Sequence, residues 1–455
     1  MKTFLLLFFA SSSIFAQSYP GFKPLRYDEN YEVLQTDSIK NNWYHTLKYL
    51  PVSKDRRAYF SFGGELRYQY FYSKNEAWGD GPDDADGYVL SRMLLHADFH
   101  PAKYVRAFLQ LQSSNADGRL RPSPVDQNPL EVHQAFIDFN VIDHDKAQLT
   151  FRFGRQELSY GSQRLVAVRD GPNNRQSFDG AKAIFAGRNY QSDFFFSHYV
   201  NAALGIFDDD SNGDRQLWGT YVVWNKIPLI RNLDFYYLGY KKTNAFFDAG
   251  TGKETRHSVG TRIWGKSGGF RYDCEGVYQF GNYSHSEISA WTASANIGYR
   301  FTSIVLHPEI GLKAEVISGD KNTADKKLET FNPLFPRGAY FGLASLIGPS
   351  NLIDVHPSLN FELAKNLEWG IDYDMFWRYS KTDGIYAPNG KAIYPGNASL
   401  KKEIGRQLES EIIYQPNQYL YFRFEATWFD AGDFLKEASA GKDIFFTGVT
   451  TQLRF

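Results

Sequence analysis

Phe445-Phe446-Thr447-Gly448-Val449-Thr450-Thr451-Gln452-Leu453-Arg454-Phe455 is the stretch that decides the fold. Read at period two, it puts Phe445, Thr447, Val449, Thr451, Leu453 and Phe455 on one face. Such alternation marks a strand with unlike faces. The same pattern recurs upstream. Leu420, Phe422, Phe424, Ala426 and Trp428 alternate with Tyr421, Arg423, Glu425 and Thr427. Leu149, Phe151 and Phe153 alternate with Thr150 and Arg152, and Val105, Ala107, Leu109 and Leu111 with Arg106, Phe108, Gln110 and Gln112. Helical periodicity is scarce. The fold class expected is all-β.

A soluble sandwich alternates too, but these segments run for about ten residues or more, the length a tilted membrane strand requires. Connections also alternate in length. Residues 100–103, 144–147, 187–190, 227–231 and 266–269 read as tight turns. Between them, 74–87, 117–131, 159–178, 201–214 and 244–254 read as long loops. Short turns on one side and long loops on the other are the pattern of outer-membrane barrels. Candidate strands number about 18 or 19, and the even-number rule favours about 18. That count requires 320–351, including Arg337 to Gly348, to be one long loop, folded inward.

Composition agrees. Aromatics make up 17% of the 455 residues, with 30 Tyr, 38 Phe and 9 Trp, yet mean hydropathy is only −0.44. A barrel reconciles the two, because only alternate residues meet lipid while aromatic girdles line both interfaces. Lys2, the apolar run Phe4 to Ala10 and Ala16-Gln17 read as a secretory signal over 1–16. Residues 17–57 read as a periplasmic N-terminal extension or plug, with a short helix within 41–50, and 58–455 as the barrel. The destination is the bacterial outer membrane.

With 50 basic and 51 acidic residues, net charge selects no partner and gives no reason to expect nucleic acid. One cysteine, Cys274, excludes a disulfide framework within the chain and suggests no metal or cofactor. HExxH does not occur, and the histidines are scattered, so an enzyme is not expected. Forty residues before the barrel are too few for the plug of a 22-strand transporter.

The inward faces carry the charge. Opposite the apolar positions stand Glu65, Arg67, Arg92, His96, Asp98, Arg106, Asp138, Arg152, Arg262, Glu309, Lys313, Glu315, Asp372, Asp374, Arg378, Glu409, Glu411, Arg423, Glu425 and Arg454. Arg or Lys facing lipid at mid-membrane costs about 2–4 kcal/mol, so the lumen is the place for them.

One stretch is more specific: Gly154-Arg155-Gln156-Glu157-Leu158-Ser159-Tyr160-Gly161, continuing through Gln163-Arg164-Leu165 and Arg169-Asp170 to Asn173-Asn174-Arg175 and Ser177-Phe178-Asp179-Gly180-Ala181. With Phe331-Asn332-Pro333-Leu334-Phe335-Pro336-Arg337-Gly338, Phe376-Trp377-Arg378-Tyr379-Ser380-Lys381-Thr382-Asp383-Gly384, and Gly405-Arg406-Gln407-Leu408-Glu409-Ser410-Glu411, it resembles the alginate export family of outer-membrane barrels. The resemblance covers the whole barrel. It implies a monomeric channel of eighteen strands that passes an anionic polysaccharide through an arginine-rich constriction, with periplasmic secretion components as partners. A planar guanidinium fork suits a uronate carboxylate. Interspersed acids keep contact weak enough for release.

On the motifs, Arg155, Arg164, Arg169, Arg175, Arg337 and Arg378 are the expected pore residues. Strand parity adds Lys313 and Arg67, and Glu309 and Asp179 are acids set among them. Strict alternation from Phe153 points Arg155 outward, so a lumenal role needs a bulge near Gly154 or a place above the membrane. A general or nutrient-specific uptake porin for small polar solutes is the alternative reading.

Overall fold

The computed structural model describes residues 21–35, 43–84, 86–144 and 146–455. The expected signal at 1–16 lies outside them. Eighteen antiparallel strands form the wall: β1 (Tyr59–Lys74), β2 (Tyr88–Ala102), β3 (Val105–Asp117), β4 (Asn128–His144), β5 (Ala147–Gln156), β6 (Phe178–Gly187), β7 (Tyr190–Tyr199), β8 (Arg215–Ile227), β9 (Arg231–Phe247), β10 (Gly250–Ser267), β11 (Phe270–Tyr283), β12 (Ser286–Arg300), β13 (Glu309–Ile317), β14 (Leu352–Ala364), β15 (Leu367–Arg378), β16 (Glu403–Tyr414), β17 (Leu420–Ala431) and β18 (Ile444–Arg454). Each pairs with its neighbours in sequence. β18 then pairs with β1, from Glu65↔Arg454 to Lys74↔Phe445, and closes the barrel. The seam is finished by reciprocal main-chain bonds between Gly64 and Phe455 at 2.8 and 3.0 Å.

The period-two pattern has its expected meaning. Phe445, Val449 and Leu453 face outward and are exposed, whereas Phe446, Thr450 and Gln452 face in and are buried. At the short-turn end, outward rings stack in pairs such as Phe60–Phe99, Phe361–Trp369 and Tyr414–Phe422, an interfacial girdle.

One expected loop is absent. Residues 244–254 are not a long connection, because β9 and β10 run on through Ala245↔Gly252 to Phe247↔Gly250. The alternation persists there: Phe246 is exposed, while Phe247 is buried against Tyr283 and Tyr386. The segment after β15 covers this extension and extends its apolar contact past the membrane.

The loops 157–177 and 318–351 turn into the lumen and join there. Ala167 donates to Phe335 O at 2.9 Å, Phe335 to Leu165 O at 2.9 Å and Arg337 to Gln163 O at 3.1 Å. Phe335 packs between Phe178, Tyr199 and Tyr240 of the wall. A side chain at Gly171 would meet the Ala339 main-chain nitrogen at 2.8 Å, so the backbones cross at near contact. Arg337 to Gly348 therefore belongs to a loop and not to the wall.

The N-terminal residues also occupy the lumen, from the short-turn end. A short helix, α1 (Trp43–Lys48), rests on β1. Arg26 donates to Gly64 O and Phe455 O, both at 2.9 Å, bracing the seam. Tyr27 reaches Glu157 O at 2.9 Å and packs edge-on against Phe108 and Phe136.

The two faces of β18 make a direct test. Val449→Arg, at the middle of the lipid face, should cost about 2–4 kcal/mol. Gln452→Arg, on the lumen face, should cost far less. Urea unfolding of both variants in lipid vesicles measures the difference.

Candidate functional site

The loop crossing divides the lumenal arginines into two kinds. The first kind is saturated by acids. Arg92 donates to Glu65 at 2.5 Å and Asp170 at 2.7 Å. Arg175 donates to Asp170 at 2.9 Å and Glu157 at 2.6 Å, and His133 lies 2.8 Å from the same Glu157. A relay of charges thus ties the 157–177 loop to β1, β2 and β4. Arg164 does the same on the far side, to Glu315 at 2.8 Å and Glu275 at 3.2 Å, with Tyr340 OH at 2.6 Å. Buried pairs of this kind fix geometry at a desolvation cost.

The second kind has no carboxylate in ion-pair contact among the described residues. Arg67 donates only to main-chain oxygens, Asp170 at 2.6 Å and Pro172 at 2.8 Å. Arg169 reaches Asn174 O at 3.5 Å, and Arg337 reaches Tyr340 O at 3.3 Å. The Nε atoms of all three lack a hydrogen-bond partner. They gather where the loops cross: Arg67 holds 170–172, the Arg169 side chain packs at Gly338, and Arg337 stacks over the Tyr340 ring at 5.1 Å. Lys313 faces the same rings, 4.8 Å from Tyr340 and 4.7 Å from Phe341, but pairs with Glu315 at 3.0 Å.

Burial alone would push the Asp170 carboxyl up, but Arg92, Arg175 and Arg67 outweigh it and hold it well below the usual range. Glu157 behaves likewise, burial being outweighed by Arg175 and His133. Both are ionised at neutral pH. Their pairing is present at neutral pH and is lost as pH falls through the depressed values.

Other expected pore residues lie elsewhere. Arg155 and Asp179 pair at 2.8 Å on the outward face of the wall, with no register slip at Gly154. The 200–214 loop covers them, Ser211 donating to Asp179 at 2.7 Å. Parity was the better guide, and the pair sits at the long-loop rim and not in the lumen. Arg378 is fully buried and donates to the main-chain oxygens of Lys381, Asp383, Gly396, Ser399 and Lys401. It staples the 379–402 loop and is shut off from any solute. Glu309 sits at the short-turn mouth, bound by Arg271.

A sequence profile of the alginate export family matches residues 58–444. The chain belongs to the alginate export family. A search of curated protein sequences gives no match. Among solved structures, Pseudomonas aeruginosa OccK1 (OpdK) is similar with a TM-score of 0.57 at 11% identity, over 88% of this chain and 98% of that one. P. aeruginosa OccK2 (OpdF), solved in complex with glucuronate, gives 0.55 at 10% identity, over 87% and 98%. OpdK of the same organism, solved with vanillate, gives 0.56 at 10%, again over 87% and 98%. At such identity the likeness is one of fold. Together with the alginate export match, it makes the protein an outer-membrane β-barrel channel.

Removing one acid from the relay should expose its arginines. Unit charges 4 Å apart are worth about 1 kcal/mol in water, roughly a fivefold change in local ion concentration. Asp170→Asn should therefore raise anion-over-cation preference by a factor of that order. Reversal potentials in a salt gradient read it.

Proposed function

We propose that this chain is a passive channel for an anionic saccharide, an extended chain bearing carboxylates and alginate-like in chemistry. The observation that carries this reading is the trio Arg67, Arg169 and Arg337 at the loop crossing, each without a carboxylate partner. Permanent cations of this kind draw anions to a narrow place. The acid-saturated arginines around them hold the loops still. The acidic wall beside them, with Asp354, Asp374, Glu409 and Glu425 on β14 to β17, opposes lasting attachment. Each barrel acts as its own pore, and the solute's gradient sets the direction.

A second reading is an uptake porin for small carboxylates. Beside the loop crossing lie a cavity of about 370 Å³, sized for a small solute, and a smaller one of about 90 Å³. OccK2 with glucuronate and OpdK with vanillate are similar barrels that hold carboxylates of that size. Swelling of protein-loaded liposomes separates the readings. Uronate oligomers enter under the first, and only monomers under the second.

In planar bilayers the channel should prefer anions. Changing Arg67, Arg169 and Arg337 together to Gln should lower that preference by about tenfold, the worth of roughly 1.4 kcal/mol. Selectivity unchanged by the triple substitution would sink the proposal.

A further inference from the structure

The seam between the last and first strands carries a second set of side chains that the channel reading does not use. Register places them in a grid. Tyr421 pairs with Gln452, and Gln452 with Arg67, so these three form one row across β17, β18 and β1. Arg423, Thr450 and Gln69 form the next row towards the long loops. Arg454 and Glu65 form the next row towards the short turns, with Tyr419 beside Arg454. Neighbouring strands lie about 4.8 Å apart, and alternate residues along a strand about 6.8 Å, so the grid spans the footprint of a sugar ring.

These rows line a cavity of about 370 Å³ just below the loop crossing, on the short-turn side. That volume is at the small end of ligand pockets, room for one or two sugar rings. The lining is chemically incomplete. Arg67 is 4% exposed and Gln69 2%, yet Arg67 Nε and Gln69 Oε1 have no hydrogen-bond partner. Arg423 Nε is unpartnered as well. Side chains that line the cavity thus carry unmet guanidinium donors and an unmet amide acceptor. A buried polar atom left unpaired costs about 1–3 kcal/mol, which a ligand that pairs it would recover.

Charge says where each end of such a ligand lies. Arg67, Arg92, Arg175 and Arg454 face Glu65, Glu157 and Asp170, which leaves one positive charge in excess. Arg423, by contrast, is held by Glu409, Glu411 and Glu425 and has no charge to spare. A carboxylate is favoured beside Arg67 and Arg454 and disfavoured beside Arg423. At the rim, the Tyr419 ring is held edge-on by Phe22 at 5.8 Å and Tyr44 at 5.5 Å, so the N-terminal segment forms one edge of the opening.

We propose that this cavity is a binding subsite for one carboxylate-bearing sugar ring, a free hexuronate or the end ring of a uronate chain. The carboxylate sits at Arg67 and Arg454. A ring hydroxyl donates to Gln69 Oε1, others meet Gln452, and a ring face rests on Tyr421. The subsite rests on the anion-channel reading and adds to it a place where the solute is recognised before the crossing.

The test is equilibrium binding of glucuronate to the full chain in detergent micelles, by titration calorimetry, with glucose and acetate as controls. Glucuronate should bind, and each control should bind at least about tenfold more weakly, since each lacks one of the two paired functions. Gln69→Leu and Arg454→Gln should each weaken glucuronate by about tenfold, the loss of one such bond. Arg454 is partly exposed, so its variant keeps the test sound if Gln69→Leu misfolds. Arg121→Gln, exposed in the long loop between β3 and β4 and outside this cavity, should leave glucuronate binding within about twofold, less than the loss of one hydrogen bond. Equal binding of glucuronate and glucose, or binding untouched by both seam variants, overturns the subsite. If glucuronate fails to bind while the pore still prefers anions, the subsite falls and the channel reading stands. If seam-dependent binding occurs without anion preference, the channel reading falls and the subsite stands alone.

Discussion

A strand in hydrocarbon cannot leave its edge unpaired, because each free N–H or C=O there costs several kcal/mol. The ladder between β18 and β1 meets that demand, and the rest of the structure depends on it. Closure fixes which residues face inward. It also gives the lumen a finite width, which two loops and the N-terminal segment then partly fill. Arg26 bonds to both sides of the closing pair, so the lumenal filling and the seam support each other.

The lumenal charges then divide by what surrounds them. Where an arginine is needed to hold a loop, acids come to it from several strands, as Glu275 and Glu315 do to Arg164. Breaking such a pair leaves a buried charge uncompensated, which opposes any parting of the loop from the wall. Where no acid comes, as at Arg67, Arg169 and Arg337, only main-chain oxygens receive the guanidinium. Carbonyls orient an arginine without cancelling its charge. The guanidinium charges at the crossing are thus left uncancelled.

Period-two alternation, with connection lengths and the even-number rule, was enough to read the architecture from the chain: the strand number, the closing strand, the inward face and a loop at 320–351. It failed at 244–254, where polar and small residues around a bulge at Lys242/Ala245 look like a loop but remain paired beyond the membrane. The motifs brought Arg169 and Arg337 to the crossing, but motif position alone does not say which way a side chain faces. Arg155 lies within the most specific motif and faces outward, and Arg378 lies within another and is consumed by a loop staple. Arg67, found by parity alone, stands at the crossing. Gln69, Gln452 and Tyr421 went unnoticed because neutral side chains carry no signal of their own. Only the pairing of the last strand with the first brings them together.

That pairing gives the seam cavity an order in time. Gln69 and Thr450, bonded at 3.1 Å across it, are 381 residues apart in the chain. One half of the cavity is synthesised almost at the beginning and the other almost at the end. An unfinished or unclosed barrel holds most of the wall, most of the charges and both inward loops, yet has no cavity at all. Occupancy of that cavity is therefore possible only in molecules whose assembly is complete, and a bound solute would resist the parting of the last strand from the first.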